Sequence, residues 1–154
     1  MEQQKIAFVV GHSNWGKSST LRALTGGSHR IRRTRIKDVE FFIRRMSNDD
    51  LPKGFIDRMK TLDPRAWPCV IAALCPDFEN EAVPTEAILK SLQRKGYELF
   101  FWVIRNQYGT SETISQKELD LLKRLGTVEV FSDRSEAEVR AKKFESFVKK
   151  VVLA

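Results

Sequence analysis

The chain has few of the residues that staple small proteins or bind metals in them. Two cysteines and two histidines occur in 154 residues, at unrelated positions, which excludes both a zinc framework and a disulfide scaffold. Cys69 and Cys75 stand in one apolar run, six positions apart, so a strand would carry both on one face as buried core thiols. Long hydrophobic runs are also missing. The longest strictly apolar stretches, Cys69 to Cys75 and Leu99 to Ile104, fall far short of the ~20 residues of a membrane-spanning helix. The opening Met-Glu-Gln-Gln-Lys leads straight into a strand pattern without the parts of a secretory signal, so no membrane span is expected and cytoplasmic placement is the default. Internal repeats, low-complexity tracts and long linkers are absent. What remains is a globular composition, 42% hydrophobic and 31% charged, at a length that builds one domain over residues 1–154.

Acid is in deficit: the formal charge is +7. Most of the lysine and arginine is scattered, but Arg30, Arg32, Arg33 and Arg35, followed by Arg44 and Arg45, form a cluster. Such a cluster is either a solvated face or a docking surface for nucleic acid or another polyanion across Arg30–Arg45. Aromatic residues are not interleaved with these arginines, so a platform for stacking single-stranded bases is unsupported.

Strand and helix patterns alternate with short joints. Lys5 to Val10 is apolar and β-branched and stops at a glycine loop, the signature of a buried strand. Lys17 to Thr25 reads as a helix closed by Gly26-Gly27. Two extended patches, Arg32 to Lys37 and Val39 to Met46, form one long strand or a hairpin across Lys37-Asp38. Pro52 to Leu62 reads as a short helix, Trp67 to Cys75 as a buried strand, and Thr85 to Lys95 as a helix stopped by Gly96. Glu98 to Ile104 is the most apolar strand. Ser115 to Arg124 is a helix with Ser115 and Glu118 as a capping box, and Thr127 to Phe131 is a strand. Ser135 and Glu138 are placed to cap a last helix, whose Phe144, Phe147, Val148, Val151 and Val152 recur at helical spacing. This alternation predicts an α/β fold: a mostly parallel sheet with helices on both faces and ligands at the carboxyl ends of its strands.

One segment carries specific chemistry. Gly11-His12-Ser13-Asn14-Trp15-Gly16-Lys17-Ser18 matches G-x-x-x-x-G-K-[ST] in full, after a predicted strand and at the start of a predicted helix. Gly11 and Gly16 allow the backbone to turn. Backbone N–H groups from Ser13 through Ser19 then converge on phosphate oxygens, aided by the positive end of the helix. Lys17 sets an ammonium against the terminal phosphates of ATP or GTP, and Ser18 offers a hydroxyl to Mg²⁺. His12 reads as a spacer touching solvent or phosphate. Trp15 packs over the ligand, hydrogen-bonds through its indole nitrogen, or serves ordinary packing.

The stretch VVGHSNWGKSSTLRALTGG resembles the first motif of the Era-like and EngB-like translation-factor-related GTPases, G-x-x-N-V-G-K-S-S-L-x-N-A-L. Asn14, Gly16, Lys17, Ser18, Ser19, Leu21, Ala23 and Leu24 match in place. The resemblance implies a P-loop NTPase fold with a Ras-like order of elements. It also implies roles for residues beyond the first motif. Thr34 stands as the switch threonine. Asp50-Leu51-Pro52-Lys53-Gly54 resembles D-x-P-G with one residue inserted, which makes Asp50 a Mg²⁺ and catalytic residue beside Lys17 and Ser18. Asn48-Asp49-Asp50 before Pro52 also reads as a plain turn and helix start. Asn106-Gln107-Tyr108-Gly109 resembles the guanine-reading N-K-x-D, keeping Asn106 but replacing Lys by Gln107 and Asp by Gly109. Phe131-Ser132-Asp133 resembles the S-A-K loop, keeping Ser132. Without a carboxylate at Gly109 the site loses its acceptor for guanine, so ATP, or no strong base preference, is open, with Asp133 as a substitute acceptor.

Three functions compete. The first is a nucleotide-dependent switch with slow Mg²⁺-dependent hydrolysis, meeting a protein partner through the switch region that the arginines bracket. No glutamine or arginine can be assigned to the attacking water. The second is a small nucleotide or metabolite kinase, against which stands the lack of an arginine-rich lid insertion. The third is a non-hydrolysing adaptor that keeps the fold.

Overall fold

The computed structural model describes residues 4–27, 32–107, 112–132 and 135–154. Its centre is β1 (Gln4–Val10), whose last five residues are fully enclosed because strands pair on both sides and helices cover both faces. A run of Ile6, Ala7, Phe8, Val9 and Val10 leaves no polar face to turn to water, which fits only a central parallel strand. α1 (Lys17–Leu24) follows the glycine loop. β2 (Arg33–Ile36) and β3 (Val39–Arg44) form the hairpin, turning at Lys37 and Asp38 with φ of 51° and 63°. Two successive left-handed residues suit the twist of a two-residue hairpin, and this settles the choice between hairpin and one long strand.

α2 (Pro52–Thr61), β4 (Cys69–Leu74), α3 (Thr85–Arg94), β5 (Tyr97–Ile104), α4 (Gln116–Leu125), β6 (Thr127–Phe131) and α5 (Ala137–Phe147) complete the series. The capping box of α4 forms as the sequence predicts: Ser115 Oγ accepts from the Glu118 amide at 3.1 Å, and the Glu118 carboxylate accepts from the Ser115 amide at 3.0 Å. The cap predicted for α5 does not form. Its first turn follows Glu136 with no side-chain cap, and the Ser135 carbonyl instead accepts from Arg140 Nη1. α5 runs on into a wider π-helical turn over Val148–Val152. That turn keeps Val148 and Val152 in the core beside Phe144 and Phe147.

The six strands lie in the order β2-β3-β4-β1-β5-β6, parallel except for β2 against β3. The result is a mixed α/β fold with helices on both faces of a largely parallel sheet. α1 packs on α5, and α2 packs on α3. Parallel pairing brings the carboxyl ends of β3, β4, β1, β5 and β6 to one edge. The loops that follow them, at Ser47–Asp50, Cys75, Gly11–Gly16, Asn106 and Ser132, therefore meet along that edge. Among the described residues no helix is long and apolar enough to cross a membrane.

Gly126, between α4 and β6, shows how tightly β6 enters the sheet. A Cβ there would lie 2.2 Å from the Leu99 carbonyl oxygen and 3.0 Å from the Phe101 ring. The backbone at Gly126 is extended, so the obstacle is contact alone. Gly126→Ala should cost about 3 kcal/mol by displacing β5 from α4. A thermal melt followed by circular dichroism should fall by roughly 6–12 °C.

Candidate phosphate-binding site

β1 delivers Gly11 to the sheet edge, where its amide donates to the Leu74 carbonyl at 3.0 Å and ties the loop to β4. The chain then turns tightly, with the Trp15 amide on the His12 carbonyl at 3.1 Å. Asn14 and Gly16 take left-handed φ of 67° and 97°. Asparagine is among the few non-glycine residues that visit this region readily. Gly11 does not have positive φ, contrary to the reading that both glycines supply an unusual dihedral. Its part is close approach: a Cβ there would sit 3.3 Å from Trp15 Cβ. At Gly16 the two constraints combine, because a Cβ would also meet Arg140 Nη2 at 2.7 Å.

Lys17 is only 5% exposed. Its Nζ donates to the carbonyls of Gly11 at 2.7 Å and His12 at 3.0 Å, and lies 3.7 Å from Asp49 Oδ1. The ammonium is thus held inside the bend by two neutral carbonyls, with one carboxylate at the longer ion-pair distance. The amides of Ser13, Asn14, Gly16, Lys17 and Ser18 donate to no acceptor among the described residues. A buried cation and a run of free N–H groups at a helix N-terminus make a site for an anion. Trp15 is buried, edge-on to His12 with ring centroids 5.0 Å apart, so it packs within the loop.

Ser19 and Thr20 serve a different purpose. Both hydroxyls donate to the Gly16 carbonyl, at 3.1 and 2.6 Å. Both accept from Arg140 of α5, whose Nη2 and Nε reach them at 3.0 and 2.8 Å. Arg140 therefore fixes the first turn of α1 against α5. Burial lowers its guanidinium pKa, with the Glu138 charge opposing.

The carboxylate that reaches Lys17 is Asp49. Asp50 is exposed, and its Oδ2 accepts from the Ser47 amide at 3.2 Å and from Ser47 Oγ at 3.3 Å. Asp50 thus holds the turn. Ser47 Oγ also donates to Asp49 Oδ1, while Asp49 Oδ2 is buried and without a partner. Asn48 aims the turn. Its buried amide donates to the Cys75 carbonyl at 2.9 Å and Thr85 Oγ1 at 3.0 Å, and accepts from the Cys75 amide at 2.7 Å. These bonds clamp the loop after β3 to the loop after β4. They matter because β4 separates β3 from β1, so this turn reaches the 11–18 loop from one strand further out.

His12 is held between two side chains that sequence reasoning did not connect to it. Its Nε2 lies 2.9 Å from Glu118 Oε2 of α4, and its Nδ1 lies 3.7 Å from Cys75 Sγ. Cys75 follows β4 rather than lying in it. Both cysteines are buried and free, as expected of core thiols. Burial, with the nearby Asp49 charge, pushes the Cys75 thiol up to about 11, so it stays protonated and unreactive at neutral pH.

At the other end, Asn106 Nδ2 donates to the Ser132 carbonyl at 3.1 Å, and Gln107 Nε2 reaches the Asn14 carbonyl at 3.4 Å. The structure thus brings Asn106, Gln107 and Ser132 together and joins them to the 11–18 loop. Tyr108, Gly109 and Asp133, which bear on base choice, lie outside the described residues, as does Arg30 of the arginine cluster. Thr34 is not brought to the site. It pairs with Phe41 in the outer strand, three strands from β1, roughly 14 Å at ordinary strand spacing.

No protein-family model, no curated protein and no solved structure matches this chain. Among the described residues no group of three or more acidic, cysteine or histidine side chains could cage a metal. Mg²⁺ needs no such cage when phosphates supply most of its ligands. One hydroxyl from Ser18 and the orphaned Oδ2 of Asp49 fit that requirement better than Asp50, whose oxygen is engaged in the turn.

One signal in the sequence bears on these residues: the Ser47-x-x-Asp50 spacing is that of a side-chain-capped turn, which suits Asp50 to a structural role. The contacts of Asn48 with Cys75 and Thr85, of Glu118 with His12, and of Arg140 with Ser19 and Thr20 gave no signal, because these partners are remote in the chain.

Proposed function

We propose that the chain is a P-loop NTPase: it binds a nucleoside triphosphate through Gly11–Ser18 and hydrolyses it slowly with Mg²⁺, as a nucleotide-dependent switch. The observation that carries this reading is Lys17, 95% buried inside a bend whose neighbouring amides donate to nothing within the described residues. A polyphosphate tail satisfies all these groups at once. It replaces two neutral carbonyl acceptors on Lys17 with charged oxygens, adding ion–ion attraction inside a desolvated bend.

In this reading Ser13, Asn14, Gly16, Lys17 and Ser18 orient the phosphates through backbone N–H groups, and the Lys17 ammonium neutralises their charge. Ser18 and Asp49 hold the metal, which supplies charge neutralisation at the β- and γ-oxygens. Asn106, Gln107 and Ser132 border the base end. The loss of an aspartate at Gly109 leaves ATP and GTP with similar affinities, within about tenfold. The layout supports a glycine loop at the carboxyl edge of a largely parallel sheet and not a Ras-like order in particular, since β4 lies between the hairpin and β1.

The reading is tested by phosphate release from ATP and GTP with Mg²⁺. Slow turnover that disappears in Lys17→Ala is expected. Triphosphate binding with no turnover in the unaltered protein would favour the adaptor. Transfer to an added acceptor well above hydrolysis would favour a phosphotransferase.

A further inference from the structure

Next to the glycine loop, on the side of β3 and α2, is a cleft of about 290 Å³ bordered by Ser18, Arg22, Arg32, Arg44, Arg45 and Arg58. These arginines come from α1, the strand entrance, β3 and its end, and α2, so the sequence cluster accounts for only part of the set. Phe42 also lines the cleft, and the Arg58 guanidinium lies 5.5 Å from its ring. This cation–π contact accounts for the position of Arg58 alone. It does not explain why five guanidinium groups face one small space.

Their electrostatics are those of a site prepared for an anion. Arg22, Arg32, Arg44 and Arg58 form no ion pair with any carboxylate of the described residues. Arg44 Nε is buried with no hydrogen-bond partner. Burial, then the charges of Arg58 and Arg32, lower the Arg44 pKa, and burial with Arg32 and Arg22 lowers that of Arg45. The adjoining strand is different. Arg33 and Arg35 both pair with Glu40, at 3.3 and 3.9 Å, which offsets half of the charge at the edge of the patch.

We infer that this cleft is a second anion site, which binds the phosphate group of a small phosphomonoester beside the ligand of the glycine loop. A planar guanidinium fork matches two phosphate oxygens at once, and several forks on different elements define a position for the group. The size of the cleft suits one phosphate and a small attached moiety. A nucleic-acid backbone would need a continuous basic stripe, and the pairing of Arg33 and Arg35 with Glu40 interrupts it. The inference deepens the reading of the glycine loop, because Ser18 borders both places, but the cleft's own binding does not require a nucleotide.

The test is calorimetric titration with ribose 5-phosphate, with ribose as the control, on the unaltered protein, Lys17→Ala and the double variant Arg44→Gln/Arg58→Gln. The unaltered protein should bind the phosphoester and not the sugar. The double variant should lose at least about tenfold in that affinity while keeping its triphosphate affinity within about threefold. Lys17→Ala should do the reverse. Because the double variant removes like charges, its melting temperature without ligand should equal or exceed that of the unaltered protein, so lost binding is not lost folding. Unchanged ribose 5-phosphate affinity in the double variant overturns the inference. An equal loss of triphosphate binding overturns it too, by assigning the arginines to the loop's own ligand. A short single-stranded oligonucleotide that binds more than tenfold tighter and displaces the phosphoester also overturns it. If no triphosphate binds at all while the phosphoester result holds, the glycine-loop reading fails and the cleft stands.

Discussion

Lys17→Ala should lower triphosphate affinity by at least about a hundredfold, close to 3 kcal/mol. The size follows from what Lys17 has available. Its Nζ already sits among the loop carbonyls, 2.7 Å from Gly11 and 3.0 Å from His12, so no reorganisation of the backbone is needed before it meets an anion. The ammonium is desolvated, and each charge-assisted bond to phosphate is worth more there than in water. The variant should still fold. It loses two bonds to neutral carbonyls and the 3.7 Å ion pair with Asp49 but also removes a buried cation, and the net loss of stability should stay within about 2 kcal/mol. Lys17→Arg should not restore binding, because a guanidinium is too large for the space bounded by Gly11 and Asp49. Equilibrium titration beside a thermal melt separates the two effects.

Asp49→Asn and Asp50→Asn should differ sharply. Asp49→Asn removes the carboxylate 3.7 Å from Lys17 and the buried oxygen without a partner. It should reduce the gain in triphosphate affinity given by Mg²⁺ by about tenfold or more, with little change in the Mg²⁺-free affinity. Asp50→Asn weakens the bonds that close the turn on Ser47 and should cost about 1 kcal/mol of stability, leaving the effect of Mg²⁺ intact. The opposite pattern would return the metal role to Asp50. Titrations of both variants with and without Mg²⁺, beside their melting curves, check each half.

The choice between these neighbouring acids shows where local pattern stops informing. Strand β1, the loop and α1 were legible because each depends on residues close in sequence: apolar β-branched residues, then two glycines and an asparagine, then helix formers. The capping box of α4 was legible for the same reason. Which of Asp49 and Asp50 faces Lys17 depends on Asn48, whose partners Cys75 and Thr85 lie across the sheet edge. It depends also on β4 lying between β3 and β1, a pairing no local pattern specifies. Arg140 was hidden likewise. It looks like a surface residue of a helix, yet it is 8% exposed and holds Ser19 and Thr20 from another element. The arginine cleft was half visible: Arg32, Arg44 and Arg45 stood out in the chain, while Arg22 and Arg58 join only through packing.

Calorimetric titration of the full chain with ATP and with GTP, each with and without Mg²⁺, tests the ligand of the glycine loop most directly. Saturable binding of both nucleotides, strengthened by Mg²⁺ and lost in Lys17→Ala, is the expected result. No heat with either nucleotide, or binding that Lys17→Ala leaves unchanged, would contradict it.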